Sequence, residues 1–148
     1  MTYNQRNIAV SLAISILVLG YYLLRISQMI LGGSFEAPNV YRLWGLMIAI
    51  SIVATIGGVI VTQIVSAIVY QIRTREEEKF VEDERDKLIE LRGTRVAYLA
   101  FSLGVLLSML TMVLGQPPLV MFNLLIFFGL VSQILADLAR LAIYRRGF

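Results

Sequence analysis

Histidine and cysteine are both absent from the chain. Their absence removes metal centres built on imidazole or thiolate, haem held by either residue, thiol nucleophiles, Ser-His-Asp triads and disulfides. Proline is scarce, with only Pro38, Pro117 and Pro118, so few positions can break a helix. Charge is scarce too: Asp, Glu, Lys and Arg make up 16% of residues, against ~25% in ordinary soluble domains. Outside residues 73–95 only two acids occur, Glu36 and Asp137. What remains is apolar. Hydrophobic residues are 58% of the 148, and the mean hydropathy of +0.78 exceeds what one small core can hide from water.

A helix needs ~20 mostly apolar residues to cross a hydrocarbon layer of ~30 Å. Ile8 to Leu24 is uncharged, and beyond Arg25 the apolar character continues to Leu31. Leu43 to Ile72 gives 30 uncharged residues and Val96 to Ala136 gives 41. The last run holds Gln116-Pro117-Pro118 near its middle, and paired prolines end a helix there. The pattern predicts an all-α, integral membrane four-helix bundle forming a single transmembrane domain over 1–148. Its helices fall at about 8–31, 42–71, 96–115 and 119–143. The first span is read as a retained helix, because its apolar stretch is longer than a signal peptide's and no small-residue cleavage site follows it.

Four spans put both termini on one side. Eleven of the thirteen basic residues fall on that side, leaving Arg25 and Arg42 opposite. Excess Lys and Arg mark the cytoplasmic face, which predicts a multi-pass protein of the cell membrane with both termini and residues 73–95 in the cytoplasm. Tyr21, Tyr22, Tyr41, Trp44, Tyr70, Tyr98 and Tyr144 fall near span ends, where amphipathic rings anchor at headgroups.

Residues 73–95 carry 15 charges in 23 positions, seven basic and eight acidic. Glu76 with Lys79, Glu82 with Arg85, and Asp83 with Lys87 stand at helical spacing. The segment reads as a charged cytoplasmic helical hairpin that extends the second span and leads into the third, with a break near Val81–Asp83. Three roles fit it: a solvated hairpin that keeps the loop soluble, a docking surface for a soluble partner with Asp83, Glu84, Arg85 and Asp86 at its tip, or a carboxylate site for a hard cation. The last lacks the glycine turn such loops use. Interleaved acids cancel the field that phosphates need, so nucleic acid is not an expected partner.

Asp83-Glu84-Arg85-Asp86, followed by Leu88, Ile89, Arg95, Ala97 and Tyr98 at the mouth of a hydrophobic span, resembles a family of small prokaryotic membrane proteins. That family is grouped as a domain of unknown function, the one numbered 2178. Over residues 80–140, the resemblance implies four spans in a prokaryotic cytoplasmic membrane and supplies no catalytic residue. Some small membrane proteins of this layout accompany helix-turn-helix regulators, which suits a docking role.

Polar residues within the spans are few. Arg25 is placed to reach headgroups at the outer interface. Asp137 falls near the inner interface, with Arg140 three positions on and Gln133 four back. The preferred reading is a structural ion pair, Asp137 with Arg140, pinning the fourth span to the charged hairpin; a proton relay is the alternative. Gln28, Gln63, Asn123 and Gln133 lie at different depths and line no common level. Small residues are better ordered: Ala54, Gly58, Thr62 and Ser66 in the second span, with Gly45, Ala49 and Gly57 as a neighbouring row, and Ala100, Gly104 and Ser108 in the third. Such rows let helix backbones approach closely. Two rows on the second span make it the expected central helix.

The sequence thus points to a small non-enzymatic membrane protein. It is expected to use no cofactor or metal, and to dock a cytoplasmic protein or form a homo-oligomer through residues 73–95. A small oligomeric channel or transporter is the alternative, held back by the lack of midplane carboxylates.

Overall fold

The structure, a computed structural model, describes residues 3–73 and 84–146. Asp83 and the expected break at Val81–Asp83 lie outside the described residues, as do the side chains of Thr62 and Ser66. Four helices form: α1 (Tyr3–Leu31), α2 (Ala37–Arg73), α3 (Glu84–Val113) and α4 (Pro118–Arg146). All four are long and apolar enough to cross a membrane. Each begins earlier than its apolar run alone suggests. α3 gains most, because Glu84, Asp86 and the Leu-rich turns after them favour helix ahead of the uncharged stretch.

The turns are written locally. Gly33 and Gly115 adopt φ of +66° and +75°, which a side chain would resist, and each ends a helix. Gln116 N donates to Thr111 O and Gly115 N to Met112 O, both at 3.0 Å, the paired bonds of a glycine C-cap. Ser34 N to Met29 O at 2.9 Å and Gly33 N to Ile30 O at 3.4 Å repeat the pattern after α1. Pro118 then opens α4 at its first position, where a missing N–H costs nothing.

α3 packs along α4, α4 along α1, and α1 along α2, all antiparallel, with a brief contact of α2 on α4. Among the described residues α2 and α3 make no extended contact. α1 and α4 are therefore the central helices and α2 lies at an edge, contrary to the expectation from its two small-residue rows. The reason lies in what those rows face. Among the glycines of those rows Gly58 looks onto α1, while a side chain at Gly45 or Gly57 would meet open space.

Away from the termini, the core joins α1 and α2: Val18, Tyr22, Ile26, Leu43 and Met47 are buried together, with Ile126, Phe127 and Leu130 of α4 against them. Elsewhere the helices present bulky apolar residues outward, such as Leu17 at 72% exposure, Val53 at 71% and Val113 at 82%. Water would penalise such a surface at about 25 cal/mol per Å², whereas lipid would not. The surface suits a bilayer.

Candidate functional site

Among the described residues Asp137 is the buried charge, 1% exposed. Its position on α4, four residues after Gln133 and three before Arg140, puts all three side chains on one stretch of helix. Arg140 Nη1 donates to Asp137 Oδ1 at 2.7 Å, and Gln133 Nε2 approaches the same oxygen at 3.5 Å. From α1, Ser11 Oγ donates to Asp137 Oδ2 at 2.8 Å. The second arm of the guanidinium reaches a third helix: Arg140 Nη2 meets Glu90 Oε1 of α3 at 2.8 Å. One carboxylate and one guanidinium thus join α1, α4 and α3.

α3 makes room for this. A Cβ built on Gly93 would stand 2.5 Å from Arg140 Cγ and Nε, so the glycine is the seat of the arginine stem. One turn earlier Ile89 is 1% exposed, and nearer the start of α3 Tyr144 Oη donates to Asp86 Oδ1 at 2.5 Å. Gly104 continues the same face, where a Cβ would collide with the Phe128 side chain. Ser108, fully buried, returns its hydroxyl to Gly104 O at 2.7 Å. Ala100 is half-buried between them. Close approach of two backbones along Gly93, Ala97, Ala100, Gly104 and Ser108 is what small side chains permit.

Other singled-out positions divide. Gly58 faces α1, where its Cβ would lie 2.8 Å from Ile14 Cδ1 and 3.4 Å from Val10 Cγ1; Ala54 is half-buried one turn away. Glu84 and Arg85 are exposed, whereas Asp86 is turned to α4 and held by Tyr144. Of the three described members of the tetrapeptide, Asp86 thus turns away from the side on which Glu84 and Arg85 are exposed. Arg25 is exposed beside Tyr21, 3.1 Å from its hydroxyl and 5.5 Å from its ring centre. Among the described residues no three Asp or Glu side chains gather as a metal site would need; of the acids considered for a cation, only Glu84 is described.

Sequence reasoning missed Ser11, Gly93 and the Tyr22–Asn123 pair, in which the buried phenol donates to Asn123 O at 2.9 Å and also meets Oδ1. Gly93 carried a signal, since it continues the row of Ala97, Ala100 and Gly104 backward at helical spacing. Ser11 carried none, because a serine in an apolar helix does not show which helix it will face.

Acid placement is the unexpected result. Of the acids on α3, Asp86 is tied to Tyr144 and Glu90 to Arg140, both toward α4. The exposed positions are Glu84, Arg85, Lys87, Leu88, Leu91, Arg92, Thr94 and Arg95 beside Glu90. A segment nearly neutral in sequence thus presents a mostly basic outer side over its described part. No family model, no curated protein and no solved structure matches this chain, so the resemblance drawn from residues 83–98 stands on those residues alone.

Proposed function

We propose that the chain is a non-enzymatic multi-pass protein of the cell membrane that works by holding the first turns of α3 upright in the cytoplasm for a soluble protein to dock. The orientation rests on the eleven basic residues that share the side of the termini. The observation that carries the reading is the clamp of α3 on α4. Ile89, the Asp86–Tyr144 bond, the Glu90–Arg140 pair and the Gly93 seat fix a helical extension that lies before the uncharged run beginning at Val96. A segment that only kept a loop soluble would need no such fixation. With both ends of the arginine held, a docking face is preorganised and costs little ordering entropy on binding.

A photoreactive residue placed at Leu88 or Leu91, both exposed, tests this in native membranes. The same residue at Leu106, within the apolar part of α3, is the control. The expected result is one adduct of defined mass, the same from both positions and absent from the control. No adduct from either position would overturn the docking role, and an adduct with a second copy would transfer it to self-assembly.

A further inference from the structure

We infer that the side of α2 turned away from the bundle binds an anionic phospholipid, with the phosphate on Arg42 and an acyl chain along Gly45 and Ala49. The site lies at the end of the bundle away from the termini, and it stands independently of the docking reading. Three charged residues fall at that end: Arg25, Glu36 and Arg42. At the other end Arg140 is paired with Asp137 and Glu90, and Asp86 is held by Tyr144. Here the balance differs. Among the described residues Arg42 is exposed and meets no acid. Arg25 is met by neutral groups, Tyr21 Oη at 3.1 Å and Gln28 Oε1 at 3.4 Å, so its charge is not cancelled either. One acid against two arginines leaves this end positive.

Val40, Leu43 and Met47 are buried and fix the inner side of α2. At 3.6 residues per turn, Arg42, Gly45 and Ala49 then share the outward side, and all three are exposed. A Cβ at Gly45 would have nothing within 4 Å, so a shallow slot runs from the arginine between the exposed Leu46 and Ile48. The uncharged run of α2 begins at Leu43, which puts Arg42 where hydrocarbon gives way to headgroups. Gly45 and Ala49 lie ~4.5 and ~10 Å deeper along the helix, and Glu36 lies ~9 Å toward water. A phosphate on Arg42 therefore sends its chains down the slot. The guanidinium fork matches phosphate oxygens two at a time. Phosphatidylcholine offsets its phosphate with its own ammonium, whereas phosphatidylglycerol keeps a net negative charge. With no acid paired to Arg42, the net anionic headgroup is preferred, by about fivefold for one arginine.

The test uses the full chain carrying W44F/L46W in vesicles of phosphatidylcholine with phosphatidylglycerol. Trp44 is the sole tryptophan, so the double substitution moves the fluorophore to the Arg42 side, one turn along α2. Bromine on the acyl chains of one lipid or the other quenches it on contact, and the two quenching curves give the relative affinity. A ratio of about fivefold in favour of phosphatidylglycerol is expected. R42Q should bring it to about one, R42K should keep most of it, and R145Q, exposed at the far end, should leave it unchanged. Parental quenching by brominated phosphatidylcholine shows that R42Q is folded and inserted. An R42Q ratio equal to the parent's would overturn the proposal. So would an equal fall in R145Q, which means a diffuse field in place of a site, or relief of quenching by soluble glycerol phosphate, which means a free-phosphate site. Absence of quenching by both lipids would overturn it too, because protein then covers the slot.

Discussion

α3 and α2 carry similar small-residue spacing and meet different fates. On α3 Gly93, Gly104 and Ser108 are buried, the two glycines against Arg140 and Phe128 of α4, and polar ties reinforce the row at the Glu84 end. On α2 the attachment to α1 rests on apolar packing around Leu43 and Met47 and on Gly58, while Gly45 and Gly57 face no neighbour. Periodicity thus reports that a helix can be approached closely, not that anything approaches it. What separates the two helices is the bulky and ionic chemistry on the partner: Phe128 and Arg140 fill the notches of α3, whereas Ile14 and Val10 meet only one notch of α2.

Breaking the ionic end of the α3–α4 seam should have the largest effect. Arg140→Ala strands the Asp137 carboxylate, 1% exposed, with Ser11 and the distant Gln133 as its remaining donors. Removing one member of a buried pair costs ~3–5 kcal/mol. The expected outcome is a large fall in thermal stability in detergent, with less protection from amide exchange over residues 84–92. Glu90→Gln, on the exposed side of the same arginine, should cost under ~1 kcal/mol, because a pair 65% open to solvent on one side is weakly coupled. Equal effects of the two substitutions would mean that Asp137 is not the anchor.

Next comes the apolar part of the seam. Gly104→Leu places a branched side chain against Phe128, attached directly to the backbone of α4, with little freedom to yield. Overpacking of this kind costs ~1–3 kcal/mol and more where the backbone must move. Gly58→Leu meets the ends of Ile14 and Val10, which can rotate away, so its cost should fall at the low end of that range. Unfolding of both variants in detergent against the parent gives the order. A Gly58 variant less stable than the Gly104 variant would reverse the ranking of the two seams.

The division between helices was legible in the sequence, and the division between neighbours was not. Four helices, the stop at Gln116-Pro117-Pro118 and the early start of α3 follow from hydropathy, proline chemistry and helix propensity, all of which act within one segment. The side on which Arg140 finds Glu90, or Asp137 finds Ser11, depends on helix order, and loops of a few residues permit several orders. The expectation of a central α2 failed on that point. Two rows of small residues do not require two neighbours, because an apolar helix edge meets lipid at no cost and nothing obliges the second row to be covered. The same limit hid the basic face of α3. A count gives near neutrality, and only the turn of Asp86 and Glu90 toward α4 separates the signs.

Gly45→Leu should have the smallest effect and sharpens the comparison most. A Cβ at Gly45 would have nothing within 4 Å, so the side chain enters lipid without displacing protein. Leucine also favours helix over glycine by ~0.8–1 kcal/mol in a helix interior, which sets the sign. The variant should unfold at or slightly above the parent temperature in detergent, with a change within ~1 kcal/mol. Mass measured in the same detergent should be unchanged. Destabilisation together with a loss of mass would show that a second copy covers the outer row of α2. In that case α2 would resemble α3 after all, with its neighbour supplied by another chain.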